Sequence, residues 1–486
     1  MKEVLNTALR WAGFVKYSRL IVYALLLVTS LGIAFLISNY GVVSGVLIIV
    51  LLIGIPAVLY IIGDIKFGVI LLIVYSFFMP RLSHFTSNLI PLGIIFDVLL
   101  LLMLAGLIIK KWQKNDLSLS KGPISYVIWI WLIYNAFEFF NPMQSREAWI
   151  YVIRSMAGHM IFYFIVLEAV DNISFFRKMI AVWIVLAFFG ALYGLFQEFH
   201  GLLESEVEWI MRDEVRFKLF YNWGRYRKFS FFNDPTVFGI LMSYTGLFCI
   251  ALLNGPFKLA YKIFLFICGV TMFLSVIYAG TRTAYAMIPA GFCFFALITF
   301  QKKVLVITSV IMALAAFIIF SDIKNVGSIL TRNSLERIRS AFNPTEDPSY
   351  NVRLNNQAKI KPFIKSHPFG AGIGSIGTWG ERFNPNSILA GFDADSTYVR
   401  IAVELGWVGL LLYFIFFAVI LIVGIRNYYK IKNTELKIYT AGILAVIYSI
   451  IIANYPQIAI LQIPTIFIFN ALVASMVKLG ELDKKL

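Results

Sequence analysis

Acidic charge is scarce in this sequence: 26 Asp and Glu stand against 42 Lys and Arg in 486 residues. Cysteine is scarcer still, with only Cys249, Cys268 and Cys293, each inside an apolar run. They have no spacing suited to a metal and no polar partners nearby, so they read as packing residues. No zinc-ligand spacing, serine-hydrolase motif or Walker loop appears, and nothing marks an ATP engine. No cofactor is expected. A cleavable signal peptide pattern is also missing. The first 19 or so residues are mixed and basic, and the first apolar run is long enough to span a membrane. No soluble domain is expected at either end.

What is present in abundance is apolar sequence. Hydrophobic residues make up 60% of the chain, more than an ordinary soluble domain carries. Runs of about 20 apolar residues recur along its length, each enough to cross a bilayer core. The expected fold class is an all-α polytopic membrane protein, residues 1–486 forming a single integral membrane domain. Spans are expected near 20–37, 42–62, 67–79, 91–109, 123–140, 148–170, 178–199, 235–253, 263–280, 283–300, 304–321, 397–423, 438–454 and 459–478. That makes about 14 helices, the third of them short. Two long water-compatible loops remain, 200–234 and 322–396.

The net charge of +16 would point to nucleic acid in a soluble protein. Here the cations sit in loops and read as a topological signal, so no nucleic-acid partner is expected. With the N-terminus in the cytoplasm, Lys2, Arg10, Lys16, Arg19, Lys110, Lys111, Lys114, Lys121, Arg177, Lys178, Lys258, Lys262, Lys302, Lys303, Arg426, Lys430, Lys432 and Lys437 all fall inside. The short outer loops carry little beyond Arg81, Arg146 and Arg282, the asymmetry that sets membrane orientation. Both termini are then cytoplasmic and both long loops face outward.

Several residues stand out chemically. Arg225, Arg227 and Lys228 precede a helix expected to start near Pro235. Cations beside a helix N-terminus suit a phosphate, and they equally suit snorkelling to lipid headgroups. Arg282 sits in a tight outer turn against the charge rule, a functional candidate or an ion-pair partner. Arg154 and His159 lie inside the sixth span. Their spacing of five does not place them on one helix face. Arg154 reads as lining a substrate cavity, and His159 as a hydrogen-bonded interior histidine. Arg400 and Glu404 are spaced as a helical pair, and a structural salt bridge is favoured for Glu404.

In the large loop, Tyr350 to Lys361 reads as a polar helical stretch broken at Pro362 and again at His367-Pro368. Gly370, Gly372 and Gly374 give a tight backbone path or an anion nest. Asp393 and Asp395 precede the next helix. Each reads as an N-cap or as a general base, the cap being favoured.

Taken together, these residues resemble the O-antigen ligase and polymerase superfamily. Arg227-x-x-Ser230-x-Phe-x-Asp234-Pro-x-x-Phe-Gly239 resembles its pattern ahead of a mid-chain helix. Thr281-Arg282-Thr283-Ala284 resembles its Ser-Arg-Thr/Gly-Ala turn. Arg353, then His367-Pro-Phe-Gly-Ala-Gly-Ile-Gly, then Tyr398 through Glu404-Leu-Gly-Trp-Val-Gly, resemble its large-loop region. The likeness covers roughly residues 225–413 of the numbered chain.

The resemblance implies an inverting glycosyltransferase acting on undecaprenyl-diphosphate-linked glycan at the outer face of a bacterial inner membrane. It gives Arg227, Arg282 and Arg353 the role of holding the diphosphate, with Arg225 and Arg154 as further candidates. Ligases of the superfamily typically carry His-Asn before Thr-Tyr-Leu. Here Asp395-Ser396 precedes Thr397-Tyr398-Val399, which looks more like the polymerase branch.

The leading expectation is therefore a surface-polysaccharide polymerase, with Asp395, Arg282 and Arg353 catalytic. His367, Asp393, Arg400 and Glu404 are further candidates. Lipid-linked glycan, membrane lipid and a chain-length regulator are its expected partners. An O-antigen ligase or protein O-oligosaccharyltransferase would share the donor chemistry. A lipid-linked oligosaccharide flippase is the alternative of another class, although it has no evident need of so long a loop and no internal repeat is visible.

Overall fold

A computed structural model describes residues 54–86, 91–113, 121–143, 145–222, 224–300 and 348–485, with isolated positions within 23–38 and 306–339. The chain divides into two compact units, Met1–Asp64 and Ile65–Leu486. In the first, a short apolar helix covers Gly54–Gly63. The spans expected near 20–37, most of 42–62 and 304–321 lie outside the described residues.

The second unit is almost wholly helical. It begins with α1 (Ile65–Thr86), α2 (Gly93–Gln113) and α3 (Pro123–Phe137), then a broken pair, α4 (Arg146–Met156) and α5 (Ile161–Ala169). Next come α6 (Ile173–His200), two short helices, α7 (Glu204–Met211) and α8 (Glu214–Phe220), and a two-residue hairpin of β1 (Tyr221–Asn222) and β2 (Arg225–Tyr226). Then follow α9 (Pro235–Leu252), α10 (Leu259–Ala279), α11 (Arg282–Thr299), α12 (Pro348–Ser366), α13 (Gly377–Phe383), α14 (Thr397–Glu404), α15 (Gly406–Lys430), α16 (Thr434–Ala453) and α17 (Thr465–Leu482). Among the described residues, eleven segments are long and apolar enough to cross a membrane, α4 and α5 counting as one. The all-α polytopic class is as expected.

Helix α9 is the centre. It is buried along nearly its whole length and packs against α6, α10, α11 and α16. Small residues allow the close approach, as they do where lipid replaces water and packing drives association. A Cβ on Gly246 would stand 2.7 Å from the Phe273 ring, and one on Gly269 the same distance from Ile250. Gly291 of α11 accepts Leu247, and Gly442 of α16 accepts Phe248.

Four sequence expectations need correction. The third span is not short: α1 runs through Pro80 to Thr86. The span expected at 397–423 is two helices, α14 and α15, parted at Leu405–Gly406 where Gly406 has φ +71°. Pro362 does not break the loop helix, because α12 continues to Ser366. Pro362 removes one N–H and crowds the carbonyl of Ala358. Both residues are exposed, so water can take up the freed carbonyl. Finally, neither Asp393 nor Asp395 caps α14. Ser396 does, its hydroxyl accepting from the Val399 N–H.

The bundle has two ends, fixed by contacts between connecting segments. At one, Lys66 pairs with Asp171, Lys111 with Glu168 and Arg177 with Glu435. At the other lie the 137–146 turn, the 200–234 segment, the 279–282 turn, the 366–406 segment and the 453–464 turn. The 200–234 loop and the described part of the large loop, 348–396, belong to this second end.

Candidate functional site

Two regions of the loop-bearing end gather the chemistry. The first joins residues 225–239 to the 279–282 turn. Arg227 donates from Nε to the Ala279 carbonyl at 3.0 Å and from Nη2 to Thr281 Oγ1 at 3.0 Å. Thr281 in turn donates to the Pro235 carbonyl at 2.9 Å. Gly239 is needed here, since its Cβ would fall 2.8 Å from that of Thr281. Asp234 caps α9, accepting from Thr236 and Val237. Arg282 follows as the first residue of α11, half-buried. Arg282 thus belongs to a helix N-terminus, where backbone N–H groups add positive potential.

Ser230 explains part of the same motif. It is buried with φ 57°, a left-handed conformation that few residues other than glycine adopt. Gln197 accepts from the N–H groups of Phe229 and Ser230 and donates to the Ser230 carbonyl. The Ser230 hydroxyl donates to Gly190 at 2.7 Å. A larger side chain would lose this bond and meet the aromatic layer of Phe231, Phe232 and Phe238, which packs over Gly190 and Gly194.

The other cations of this loop are neutralised. Arg225 forms a hydrogen-bonded ion pair with Glu198, and Lys228 lies 3.5 Å from the same carboxylate. Burial lowers the Lys228 pKa, and Glu198 opposes the shift. Arg154, expected to line a substrate cavity, bonds Asp97 at 2.9 Å. His159 Nε2 stands 3.7 Å from the same carboxylate. The break between α4 and α5 at Ala157–Met160 is what brings Arg154 and His159 together, which an unbroken helix would not do. Arg353 lies in α12, and its side chain is outside the described residues.

The second region surrounds the glycines of the large loop. Gly370, Gly372 and Gly374 all have positive φ. Ala371 N–H donates to the Val403 carbonyl, Gly372 N–H to the Glu404 carbonyl, and Gly374 N–H to Glu404 Oε1 at 3.0 Å. The first two satisfy carbonyls at the end of α14, which a helix terminus leaves open, and the third bonds the Glu404 side chain. The run is therefore a docking strip for α14 rather than an anion nest. Glu404 is fully buried and receives Arg400 Nε at 3.1 Å, the expected salt bridge. Burial raises the Glu404 pKa, with Arg400 and the Gly374 N–H pulling the other way.

Next to this strip is a cavity of about 520 Å³, open on one side and lined mostly by apolar groups, among them Phe140, Met143 and Phe369. Its polar groups include Glu138, Asn141, Ser366 and His367. Asn141 Nδ2 donates to Glu138 at 2.9 Å and also reaches the Phe369 carbonyl at 3.2 Å. His367 stacks on Phe363 and has Nδ1 3.0 Å from the Phe363 carbonyl. Ser366 Oγ is 2.9 Å from the same nitrogen. The size and the apolar lining with a few polar groups suit an amphipathic ligand.

Asp393 and Asp395 are both exposed. They border a recess of about 10 Å³ with Asn356, Gln357 and Ser396, room for about one water. Sequence reasoning missed Asp97, Glu138 and Glu198. The signal was there: each is a carboxylate inside, or at the end of, an apolar run, where an unpaired charge is costly.

Residues 267–414 match the family described as O-antigen ligase. The match begins inside α10, includes the Arg282 turn and the large loop, and ends in α15. It supports the O-antigen ligase and polymerase superfamily, and with it glycosyl-transfer chemistry of that broad type. No curated protein matches the chain.

Proposed function

We propose, on the premise of that domain, that the chain is a polysaccharide polymerase working at the outer face of a bacterial inner membrane. Its substrate is a glycan repeat unit linked to undecaprenyl diphosphate. A hydroxyl oxygen of one lipid-linked repeat attacks the anomeric carbon of another. The bond from that carbon to the diphosphate oxygen breaks, its electron pair leaves with the diphosphate, and the configuration inverts. The hydroxyl proton passes to a carboxylate, for which Asp395 is the candidate. Arg282 offsets the charge that grows on the leaving diphosphate. Arg227 acts through the backbone, holding the 279–281 turn that presents Arg282. Arg353 is the candidate second contact.

The observation that carries this reading is the convergence of residues 227–239 and 279–282, two segments far apart in sequence, on one half-buried arginine at a helix start. The polymerase assignment within the superfamily rests on Asp395-Ser396 standing where ligases typically carry His-Asn.

The direct test gives purified protein one lipid-diphosphate-linked repeat unit and no other acceptor. A ladder of multiples is expected. Product only on adding lipid A core or an acceptor protein would make the enzyme a ligase. Transport without transfer would make it a flippase. Arg282→Lys is expected to slow chain growth by about 10²-fold, because an ammonium cannot make the two parallel bonds of a guanidinium. Near-normal growth would remove Arg282 from the role.

A further inference from the structure

The large loop carries aromatic surface that the fold leaves partly exposed. Trp379 and Phe383 lie four residues apart on α13, on one face. Ile376, just before α13, is buried, and a Cβ on Gly380 would stand 2.4 Å from the Ser375 carbonyl, so α13 packs closely against its own loop. Tyr151 of α4 meets the Trp379 and Phe383 rings. Its ring centroid is 5.4 Å from those of both Trp379 and Phe383, with interplanar angles of 18° and 17°. Trp379 and Phe383 are themselves parallel within 1° at 5.9 Å. Three near-parallel rings therefore stand together, yet Tyr151 remains 46% exposed and neither tryptophan nor phenylalanine is fully buried.

Arg382 completes the cluster. Its guanidinium carbon is 5.1 Å from the Phe383 centroid, 5.7 Å from Tyr151 and 6.0 Å from Trp379. The side chain is exposed, as are Thr378, Glu381, Asn386 and Asp393 nearby in sequence. Exposed Glu381 and Asp393 in the same loop do not suit a lipid headgroup layer that is itself anionic. The loop is held rigidly: Gly377 donates to the Phe392 carbonyl at 3.0 Å, and Ile376 and Leu389 enter a small core with Ile360, Ala371 and Val403.

We propose that Tyr151, Trp379, Phe383 and Arg382 form a platform for a pyranose ring of the glycan, a holding subsite separate from the Arg282 turn. A pyranose has an apolar C–H face and a rim of hydroxyls. The C–H groups rest on the electron-rich ring faces, and the hydroxyls, or a sugar carboxylate, bond the guanidinium that cation–π contact holds in place. The platform belongs to the loop and to the start of a spanning segment at once. A bound chain would thereby stay near the membrane between transfers. This inference rests on the glycan-transferring reading of the site.

The test is binding, not transfer. Detergent-solubilised full-length protein is applied to an array of neutral and acidic oligosaccharides, with vesicles of anionic phospholipid in parallel. Retention of at least one glycan class is expected. Tyr151→Ala and Arg382→Gln should each weaken it by about tenfold or more. Trp379→Phe, which keeps a ring against Tyr151 and so keeps the loop docked, should weaken it less than Trp379→Ala. Each variant's thermal unfolding is compared, so a loss of fold is separated from a loss of the platform. Failure to retain any glycan, retention of vesicles alone, or glycan retention unchanged in Tyr151→Ala and Arg382→Gln overturns the proposal. Because the array needs no turnover, a failed ladder experiment leaves its result intact, and the reverse also holds.

Discussion

Glu404 shows how one side chain can serve the fold while looking like chemistry. It is buried at the end of α14, outside the spanning helix that follows. Its carboxylate ties Arg400 on its own helix to Gly374 of the glycine strip. Burial is the larger influence on its ionisation and raises the pKa above the ordinary 4.5 despite Arg400. The folded state therefore binds this proton more tightly than the unfolded state. The group's contribution to stability is full below the unfolded pKa and is lost as pH rises through the folded one. Glu404→Gln keeps an acceptor for the Gly374 N–H and carries no charge. Relative to wild type it should gain stability as the pH is raised from about 4.5, measured by thermal unfolding across a pH series. A parallel pair of curves would show that the carboxylate has no shifted pKa. Glu404→Ala should cost about 3 kcal/mol at neutral pH, the low end for breaking a buried pair, since Arg400 keeps some water contact.

Arg400 and Glu404 were legible in the sequence because helical spacing alone decides whether they meet. Arg154 and His159 were not, since the spacing rule assumes an unbroken helix and the turn at Gly158–Met160 violates it. Their meeting point, Asp97, is on another helix.

At the scale of elements, the decisive feature is the break between α14 and α15. Gly406 has φ +71°, and a Cβ there would come 2.0 Å from the Pro368 carbonyl. Val408 N–H donates to that same carbonyl at 3.2 Å, and Tyr134 OH donates to the Leu405 carbonyl at 2.6 Å. The glycine strip, the break and α3 are thus one joint, and the 520 Å³ cavity is formed beside it. Gly406→Ala meets both backbone strain and a backbone atom that cannot move aside alone. It should cost at least about 2 kcal/mol and open the joint, read as faster proteolysis after Lys365. Gly201→Ala is the control. That glycine has φ +87° and ψ 175° with nothing near its absent Cβ, so it should show the backbone penalty alone, about 1–3 kcal/mol, with no faster cleavage after Lys365. Equal effects in the two variants would mean that the joint is not held by this contact.

The same joint marks where sequence reasoning at this scale stopped. The apolar runs located the described spans, because bilayer thickness fixes their length. The runs could not show that 397–423 is interrupted, since Leu405-Gly406-Trp407 is as apolar as its neighbours. Nor could glycine spacing distinguish an anion nest from a strip whose N–H groups bond a helix end.

For the whole membrane unit, the two ends differ in chemistry as well as in contacts. Lys110, Lys111, Arg177, Lys178, Lys258, Lys262, Arg426, Lys430, Lys432 and Lys437 all belong to the end closed by the Arg177–Glu435 pair and by Asp483, which accepts from Lys432 and Asn433. The opposite end carries the glycine joint, the Arg282 turn and the aromatic platform. The charge rule predicts a cytoplasmic first end. In a background with Cys249, Cys268 and Cys293 replaced by alanine, a membrane-impermeant maleimide should label Asn386→Cys in intact spheroplasts. Lys432→Cys should react only after permeabilisation. Both positions are exposed, so failure to react reports the membrane rather than burial. The reverse pattern would put the cavity, the Arg282 turn and the platform in the cytoplasm, and transfer at the outer face would then be impossible for this chain. The expected pattern has an energetic consequence. For the proposed transfer, made away from nucleotide sugars and ATP, the glycosyl–diphosphate bond of a lipid-linked donor would itself supply the driving force. That requirement agrees with a site built from arginines, a helix start and an amphipathic cavity.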